Sequence, residues 1–319
     1  MGLIAEESTT PSDLLVAEAS GQFSDPSFAA AVMPQPQSDI FWEIRFNQKV
    51  HQLKNTDDVR MIWMGDSIIH YFETAGKGVW EQNYSSWNAV NFGSSGDRTE
   101  NLRWRIQNAS LSNLSPQIII VMIGTNNYGQ RRDSAEMVAA GVYSILQDLK
   151  TFCPASKVLL LGQLPVSEKL DPYYTPAIQS LNLALAKLAD GKNVVFADPS
   201  PLFLDEQKRL KESLFIDGIH PNSLGFNKLA SFIDPYLARM TAHEEIKGSI
   251  QVDSQMIRVT YPATPGELYN FNISTDLKSW YPILQRRADQ DILEFTFPDY
   301  LYPNGIFFQL VPASTDVIK

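Results

Sequence analysis

Residues 59–67 read Val-Arg-Met-Ile-Trp-Met-Gly-Asp-Ser, a short apolar run that ends in a Gly-Asp-Ser turn. A run of this length, bounded by a turn signal, predicts a β-strand that is covered on both faces. The apolar residues that follow Ser67 predict the start of a helix. A serine between a buried strand and a helix faces the crevice in which open α/β sheets bind ligands, and the helix N–H groups there favour negative charge. Ser67 is therefore well placed to act as a nucleophile.

The Gly-Asp-Ser turn does not identify a nucleophile by itself. A given tripeptide occurs by chance in roughly a few of every hundred chains of this length, so it is only a motif hypothesis. The alternative interpretation is an ordinary strand-to-helix turn in which Asp66 or Ser67 caps the helix. The remaining motifs of the chain have to decide between the two.

The composition is that of a globular protein that does not bind nucleic acid. The 319 residues carry a net charge of −10 with a pI near 4.9, whereas phosphate binding needs a basic surface. Cys153 is the only cysteine, which excludes an intramolecular disulfide and a cysteine metal cluster. No apolar run approaches the length of a membrane span, and the first residues lack a signal-peptide pattern.

Strands and helices alternate through the middle of the chain, which predicts a doubly wound parallel sheet with right-handed crossovers. The predicted strands are 59–65, 88–92, 117–123, 158–161 and 194–197. The predicted helices are 41–53, a segment from about 99 through 106, 134–151, 176–188 and 223–240. On the first helix the apolar period places Phe41, Ile44, Val50 and Leu53 near one face. Asp39 is the expected cap of this helix, and Asp133 with Glu136 has capping-box spacing at the start of helix 134–151.

Polar blocks follow these strands at the points where the strands end. Ser67 follows the first strand, Gly96 the second and Asn126 the third, while Asp217 and His220 precede the last helix. The carboxyl ends of parallel strands meet at one edge of a sheet, where functional groups gather. We therefore expect these side chains to lie close together.

Four ordered blocks of sequence carry a family resemblance. They are Gly65-Asp66-Ser67, Gly96-Asp97, Gly124-Thr125-Asn126-Asn127 and Asp217-Gly218-Ile219-His220. Over roughly residues 40 to 240 the chain resembles the SGNH (GDSL-type) hydrolase family, and within it the catalytic subunits of intracellular platelet-activating-factor acetylhydrolase. The resemblance implies a flavodoxin-like three-layer α/β/α fold around a five-stranded parallel sheet. It also implies ester hydrolysis without a cofactor, with an oxyanion hole of the Ser67 and Gly96 backbone N–H groups and the Asn126 amide.

The chemistry of these residue types agrees with that reading. Ser67 is the candidate nucleophile, His220 the base that takes its proton, and Asp217 the group that orients the imidazole. A spacing of three residues allows Asp217 and His220 to share one loop turn. The other histidines are less well placed to act as this base. His51 falls on a predicted surface helix, His70 lies one turn along the helix after Ser67, and His243 lies in the linker between the domains.

Each of these residues also has a structural interpretation. Asp66 is expected to organise the turn, Asn126 and Asn127 could be turn residues after a strand, and His220 could be an ordinary loop histidine. No spacing of His, Asp and Glu suggests a metal site. Aromatic residues near predicted loops could stack on sugar rings, although packing against the sheet is the favoured reading; they are Trp80, Tyr84, Trp87, Tyr128, Tyr173 and Tyr174.

The two ends of the chain differ in character from residues 39–241, the predicted hydrolase domain. Residues 1–38 lack a sustained apolar period and predict an arm or extended segment on the domain surface. Residues 242–319 alternate polar and apolar positions over 250–261, 268–274, 293–297 and 306–311, which predicts a small antiparallel β-sandwich. This accessory domain resembles C-terminal β modules of secreted bacterial proteins, so a secreted or periplasmic enzyme is favoured over a cytoplasmic one.

The sequence therefore predicts a serine esterase for short-chain, acetyl-type esters. One alternative is a carbohydrate O-acetylesterase, in which the β module helps to hold polysaccharide. The other is a non-catalytic protein that binds a glycan or a partner through a degenerate hydrolase domain. The expected partners are a small-molecule ester or an acetylated glycan, without nucleic acid, a membrane span, a cofactor or a metal, and the sequence leaves room for a homo-oligomer.

Overall fold

The computed structural model of this protein describes residues 26–241, 249–253, 256–274, 280–298 and 307–313. The chain divides into two compact units between Met240 and Thr241, and each is described by itself. The strands of the N-terminal unit are β1 (Met61–Gly65), β2 (Val90–Gly93), β3 (Ile118–Met122), β4 (Lys157–Leu161) and β5 (Val194–Ala197). Its described α-helices are α1 (Pro26–Val32), α2 (Ile40–Asn55), α3 (Ser67–His70), α4 (Lys77–Asn83), α5 (Thr99–Asn108), α6 (Thr125–Arg131), α7 (Ala135–Phe152), α8 (Tyr174–Ala186) and α9 (Ser223–Thr241). None of these helices is both long and apolar enough to cross a lipid bilayer.

The five strands form one parallel sheet in the order β2-β1-β3-β4-β5. Gly65, the last residue of β1, lies level with Gly93 of β2 on one side and with Met122 of β3 on the other. The chain moves from β1 outward to β2 and then returns to the opposite side of β1 with β3. This reversal opens a crevice beyond the carboxyl ends of β1 and β3. The predicted five-stranded α/β fold is confirmed, and Ser67 lies directly at this crevice.

Hydrophobic cores on both faces of the sheet explain why β1 is buried without alternation. On one face Ile62 and Met64 pack with residues of α2, α5, α7 and α8. On the other face Met61 and Trp63 pack with residues of α3 and α9. The sheet is therefore the middle of three layers, and the turns that follow the strands lie at the edge formed by the carboxyl ends of the strands.

Gly65 allows α3 to begin immediately above the sheet. A Cβ atom at Gly65 would lie 2.2 Å from the carbonyl oxygen of Met122 and 2.6 Å from the side chain of Ile69. Only glycine permits such a close approach of a strand end to its neighbour and to the following helix. The glycine before Asp66 and Ser67 is thus required by packing.

The buried face of α2 differs from the predicted one. Phe41 is 75% exposed and Ile44 is 45% exposed, whereas Trp42 and Phe46 are buried. Helix α2 carries apolar residues on more than one stripe, so the period alone does not select the inner face. The Trp42 indole N–H donates to the buried carboxylate of Asp97 at 2.6 Å, and this contact agrees with the observed face. Phe41 and Ile44, two of the four residues of the predicted apolar face, therefore lie outside the core, whereas Leu53 is buried.

One predicted helix cap is present and the other is replaced. Asp39 caps α2, since its carboxylate accepts the N–H of Phe41 at 2.8 Å. The cap of α7 is Ser134, whose hydroxyl accepts the N–H of Met137 at 3.3 Å. Asp133, which we predicted for this role, is buried beside an arginine of α6 instead.

The arm predicted over residues 1–38 is helical where α1 lies. Ala31 and Val32 of α1 are buried, and helix α1 packs against α7. The carbonyl oxygen of Ala31 accepts the Thr99 hydroxyl at 2.7 Å, which ties the segment to the start of α5. Residues 1–25 lie outside the described residues. Part of the predicted extended segment is therefore an integral helix of the N-terminal unit.

The C-terminal unit contains two three-stranded antiparallel sheets. Its strands are β6 (Ser249–Asp253), β7 (Met256–Pro262), β8 (Leu268–Ser274), β9 (Tyr281–Arg287), β10 (Ile292–Pro298) and β11 (Phe307–Pro312), in the orders β10-β7-β6 and β11-β8-β9. Phe271 of β8 stacks on Phe295 of β10 with 4.0 Å between ring centres, and both belong to one core. The predicted small β-sandwich is confirmed.

Two details of this unit differ from the prediction. The single strand predicted over 250–261 is the antiparallel pair β6 and β7. Strand β9 was not predicted, and all seven of its residues are exposed. Because β9 buries neither face, its sequence lacks the alternation that reveals a half-buried strand.

Candidate active site

Ser67 is the first residue of α3 and follows β1 directly. Asp66 is the cap of this helix, and its Oδ1 accepts the N–H of Ile68 at 2.9 Å. The Asp66 side chain is fully buried, and this burial raises its pKa to about 7. Asp66 therefore organises the turn, as expected, while the half-buried Ser67 side chain extends towards the crevice.

The Ser67 hydroxyl is hydrogen-bonded to the loop that precedes α9. His220 Nε2 lies 2.8 Å from Ser67 Oγ, and His220 Nδ1 lies 2.7 Å from Asp217 Oδ2. A neutral imidazole that donates from Nδ1 to the carboxylate presents Nε2 as an acceptor for the serine hydroxyl. The three predicted residues thus form one chain of hydrogen bonds, although Ser67 and His220 are 153 positions apart in the sequence.

Backbone hydrogen bonds and a ring contact hold this loop. Asp217 Oδ1 accepts the N–H groups of Ile219 at 3.0 Å and His220 at 2.8 Å. Partial burial acts to raise the pKa of Asp217, but these hydrogen bonds and the imidazole outweigh it and lower the pKa. The ring of Tyr71 stacks on the His220 ring, with 4.5 Å between centres. The carboxylate stays ionised and the imidazole has one orientation.

Asn126 contacts the turn that holds Gly96. Asn126 Nδ2 donates to the carbonyl oxygen of Asp97 at 3.0 Å, which places the amide beside the Gly96 peptide. A side-chain amide has two N–H donors, so a second one is left for another acceptor. Gly96 has φ of +79°, a conformation that favours glycine, and a Cβ atom there would find no protein atom within 3.6 Å. The glycine supplies a backbone conformation and leaves space above its peptide.

We expect Asn126→Ala to lower kcat by about 10²- to 10³-fold while KM changes little, because one donor to a developing oxyanion has this typical effect. The protein should remain folded, since Asn126 is only partly buried. Steady-state kinetics with p-nitrophenyl acetate measure the effect. Full activity of the variant would contradict the oxyanion role.

A buried ion pair that we did not predict supports the Gly96 turn. Arg105 of α5 is 1% exposed, and its guanidinium lies 2.6 Å from the Asp97 carboxylate. The same guanidinium donates to the carbonyl oxygens of Gly65, at 3.1 Å, and Phe92. It therefore links the ends of β1 and β2 to the turn that holds Gly96. The acidic and basic residues of this segment are typical of an exposed helix face, so the sequence did not indicate that Arg105 is buried.

A second buried network positions the turn that carries Asn126. Asn127 is fully buried, and its amide binds the backbone N–H of Thr99, at 3.0 Å, and the carboxylate of Asp133, at 2.9 Å. Arg131 bridges Asp133 and the buried Glu100. Asn127 is thus structural, which fits the interpretation of it as a turn residue. The network joins the first turns of α5 and α6.

The other histidines do not contact Ser67 in the described part of the chain. His51 is exposed on α2, and His243 lies outside the described residues. His70 Nδ1 is 2.9 Å from the hydroxyl of Ser95. Burial, reinforced by the nearby Arg45, lowers the pKa of His70 to about 4 although Glu73 acts in the opposite direction. His70 is therefore neutral at pH 7.

The shift of His70 makes folding stability depend on pH. Its folded pKa of about 4 lies below the ordinary value of 6.5, so between these values the unfolded chain binds the proton and the folded chain does not. We expect the free energy of unfolding to fall by about 1–2 kcal/mol more in the wild type than in His70→Asn between pH 6.5 and 4.5, allowing for partial exposure of the ring.

Urea denaturation at the two pH values measures this difference. The comparison between variants is needed because Asp66 acts in the opposite sense: its raised pKa makes stability fall as pH rises from 3.8 to about 7. An identical pH dependence in wild type and His70→Asn would contradict the assignment.

Of the aromatic residues considered as sugar platforms, most are packed. Tyr84 and Tyr174 are buried, and Trp80, Trp87 and Tyr128 are half-buried, whereas Tyr173 is 74% exposed. Within the described residues, no three His, Cys, Asp or Glu side chains gather as ligands for a metal ion. The polar contacts of the Ser67 hydroxyl and its partner are those with His220 and Asp217.

Comparison with known proteins places the same region of the chain in one family. A family model described as GDSL-like lipase/acylhydrolase matches residues 63–228. Human platelet-activating factor acetylhydrolase IB subunit alpha2 is 30% identical over 209 residues, which are 65% of this chain and 87% of that protein. The human alpha1 subunit is 27% identical over 222 residues, 69% of this chain and 94% of that protein.

A solved structure shares the fold. A GDSL-like lipase from Bacteroides thetaiotaomicron aligns with a TM-score of 0.51 and 19% identity, covering 61% of this chain and 98% of that one. At this identity the likeness concerns the fold alone. The matched family region ends at residue 228, before the C-terminal unit begins.

Proposed function

This chain belongs to the GDSL-like lipase/acylhydrolase family, and we propose that it is a serine esterase that hydrolyses short-chain, acetyl-type carboxylic esters. The observation that carries the proposal is the hydrogen-bond chain from Ser67 through His220 to Asp217. A nucleophile, a base within hydrogen-bond reach and a group that orients the base are the parts that acyl transfer through a serine needs.

In the first half of the reaction Ser67 Oγ attacks the ester carbonyl carbon while His220 Nε2 takes the hydroxyl proton. The negative charge that forms on the carbonyl oxygen is met by the Ser67 and Gly96 N–H groups and the second N–H of the Asn126 amide. The imidazolium then gives its proton to the alkoxide, which leaves as an alcohol. Asp217 stabilises the imidazolium and does not itself take the proton.

In the second half a water molecule replaces the alcohol. His220 removes a proton from the water, which attacks the acyl-enzyme at the same carbonyl carbon. The second tetrahedral intermediate uses the same donors, and the proton returns to Ser67 Oγ as the carboxylic acid leaves. The fixed orientation of His220, held by Asp217 and the Tyr71 ring, serves both halves of the reaction.

The preference for a short acyl group is supported by the relatives. The human proteins that match 65–69% of this chain are acetylhydrolases by name. Identities of 27–30% to these proteins support an acetyl ester as the substrate of this chain. They do not identify the alcohol part of that ester.

The test is the rate of hydrolysis of p-nitrophenyl acetate, butyrate, octanoate and palmitate by the wild type and Ser67→Ala. We expect a steep decrease after acetate and loss of all turnover in the variant. A maximum at octanoate or a longer chain would contradict the acetyl preference. Absence of Ser67-dependent turnover on all four esters would favour the non-catalytic binding protein.

A further inference from the structure

A cleft of about 310 Å³ lies next to the Gly96 turn, between the segment that precedes α2 and the start of α5. Besides Asp39, its lining residues are Gln35, Pro36, Gln37, Ser38, Arg98 and Asn101. Small-molecule sites typically occupy roughly 300–1,000 Å³, so the cleft can hold one small ring. The described mechanism uses none of these side chains.

Gln37 connects the cleft to the Gly96 turn. Its Nε2 donates to Asp97 Oδ1 at 2.8 Å, and both polar atoms of its amide lie 3.7 Å from the position that a Gly96 Cβ would occupy. Gln130 approaches the same glycine from α6 and donates to its carbonyl oxygen at 3.2 Å. The amides of Gln37 and Gln130 therefore flank the Gly96 peptide.

The charged side chains at the cleft already have hydrogen-bond partners. Arg98 Nε donates to the buried carboxylate of Glu100 at 2.6 Å, and Asp39 uses its carboxylate to cap α2. Recognition of a phosphate group generally relies on arginine or lysine side chains that are free to pair with it. The chemistry of the cleft therefore does not favour a phosphate-bearing head group.

Side chains with unused hydrogen-bonding groups complete the wall. Gln35 and Ser38 are exposed, and neither side chain makes a hydrogen bond to the described residues. Amides and hydroxyls both donate and accept, which matches the hydroxyl groups of a sugar. From this lining we infer that the cleft binds the sugar ring of an O-acetylated carbohydrate whose acetyl ester is presented to Ser67.

This inference rests on the proposed esterase function and identifies the alcohol part of its ester substrate as a sugar. The sugar hydroxyls would exchange hydrogen bonds with Gln35, Ser38 and the free acceptor of Gln37, while the ester carbonyl reaches the donors beside Gly96. The acetylated glycan weighed from the sequence as an alternative substrate is thus favoured over a phospholipid by the lining of the cleft.

The test compares a mixture of mono-O-acetylated methyl β-xylopyranosides with cyclohexyl acetate, an acetate of a ring that lacks hydroxyl groups. In the double variant Gln35→Leu/Ser38→Ala we expect kcat/KM for the glycosides to fall by about 10-fold, because typical hydrogen bonds are lost, and kcat/KM for cyclohexyl acetate to stay within about twofold. Gln48→Leu, an exposed glutamine of α2 outside the cleft, is the matched control and should change neither rate.

The results separate this inference from the proposed function. Equal losses on both substrates, or no loss on the glycosides, would overturn the sugar site while Ser67-dependent hydrolysis still supports the esterase. A wild-type preference for a 2-acetyl phosphatidylcholine that is insensitive to the double variant would overturn it in favour of a lipid. Absence of Ser67-dependent hydrolysis of every acetate would reject the esterase and the sugar site together.

Discussion

We expect Ser67→Ala to lower kcat/KM for p-nitrophenyl acetate by about 10⁴- to 10⁶-fold, because nucleophile, base and orienting carboxylate act as one unit in acyl transfer. His220→Ala should lose a similar factor, since without the base the serine hydroxyl 2.8 Å away keeps its proton. The double variant should be little worse than either single variant, as is typical of groups that act together.

His51→Ala is the matched control for the histidine variant. His51 is exposed on α2, away from the hydrogen-bond chain, so its loss should leave kcat/KM unchanged. Equal activity in Ser67→Ala and the wild type would show that another group attacks the ester. If the decrease in kcat/KM in the double variant equalled the product of the decreases in the two single variants, Ser67 and His220 would act independently.

We expect Arg105→Met to lower the free energy of unfolding by about 3–5 kcal/mol, because removing one partner of a buried ion pair leaves an uncompensated charge. The remaining Asp97 carboxylate is fully buried, and the carbonyl oxygens of Gly65 and Phe92 lose their donor as well. Urea denaturation followed by tryptophan fluorescence suits the measurement, because five of the six tryptophans belong to the N-terminal unit that contains Arg105.

Two further variants make this prediction specific. Arg209→Met removes an exposed pair with Asp205, for which a loss below about 1 kcal/mol is expected. Asp97→Asn combined with Arg105→Met removes both charges, so the double variant should be more stable than Arg105→Met alone. A loss in Arg105→Met no larger than that in Arg209→Met would contradict a supporting role of the buried pair.

Hydrophobic patterns predicted the sheet because its strands are buried on both faces. Strands such as β1 and β3 are continuous apolar runs, and each is followed by a polar turn. Once the strands are parallel, their carboxyl ends must share one edge, and the hydrogen bond between Ser67 and His220 agrees with that topology. The contact of Asn126 with the Gly96 turn agrees with it as well.

The features that were missed depend on contacts between distant segments. The inner face of α2 includes Trp42, whose indole binds Asp97, a residue 55 positions away. Arg105 is buried because it closes hydrogen bonds at the ends of two strands, and no local period of α5 indicates this. Strand β9 was missed for a different reason, since a strand exposed on both faces has no hydrophobic period to read.

Labelling with a fluorophosphonate probe, followed by mass mapping of the modified peptide, tests the central claim most directly, because such probes react only with an activated hydroxyl. We predict one phosphonylated residue, Ser67, with no labelling in Ser67→Ala and strongly reduced labelling in His220→Ala. Labelling of a different residue, or equally rapid labelling of Ser67 in wild type and His220→Ala, would contradict the assignment of Ser67 as a nucleophile activated by His220.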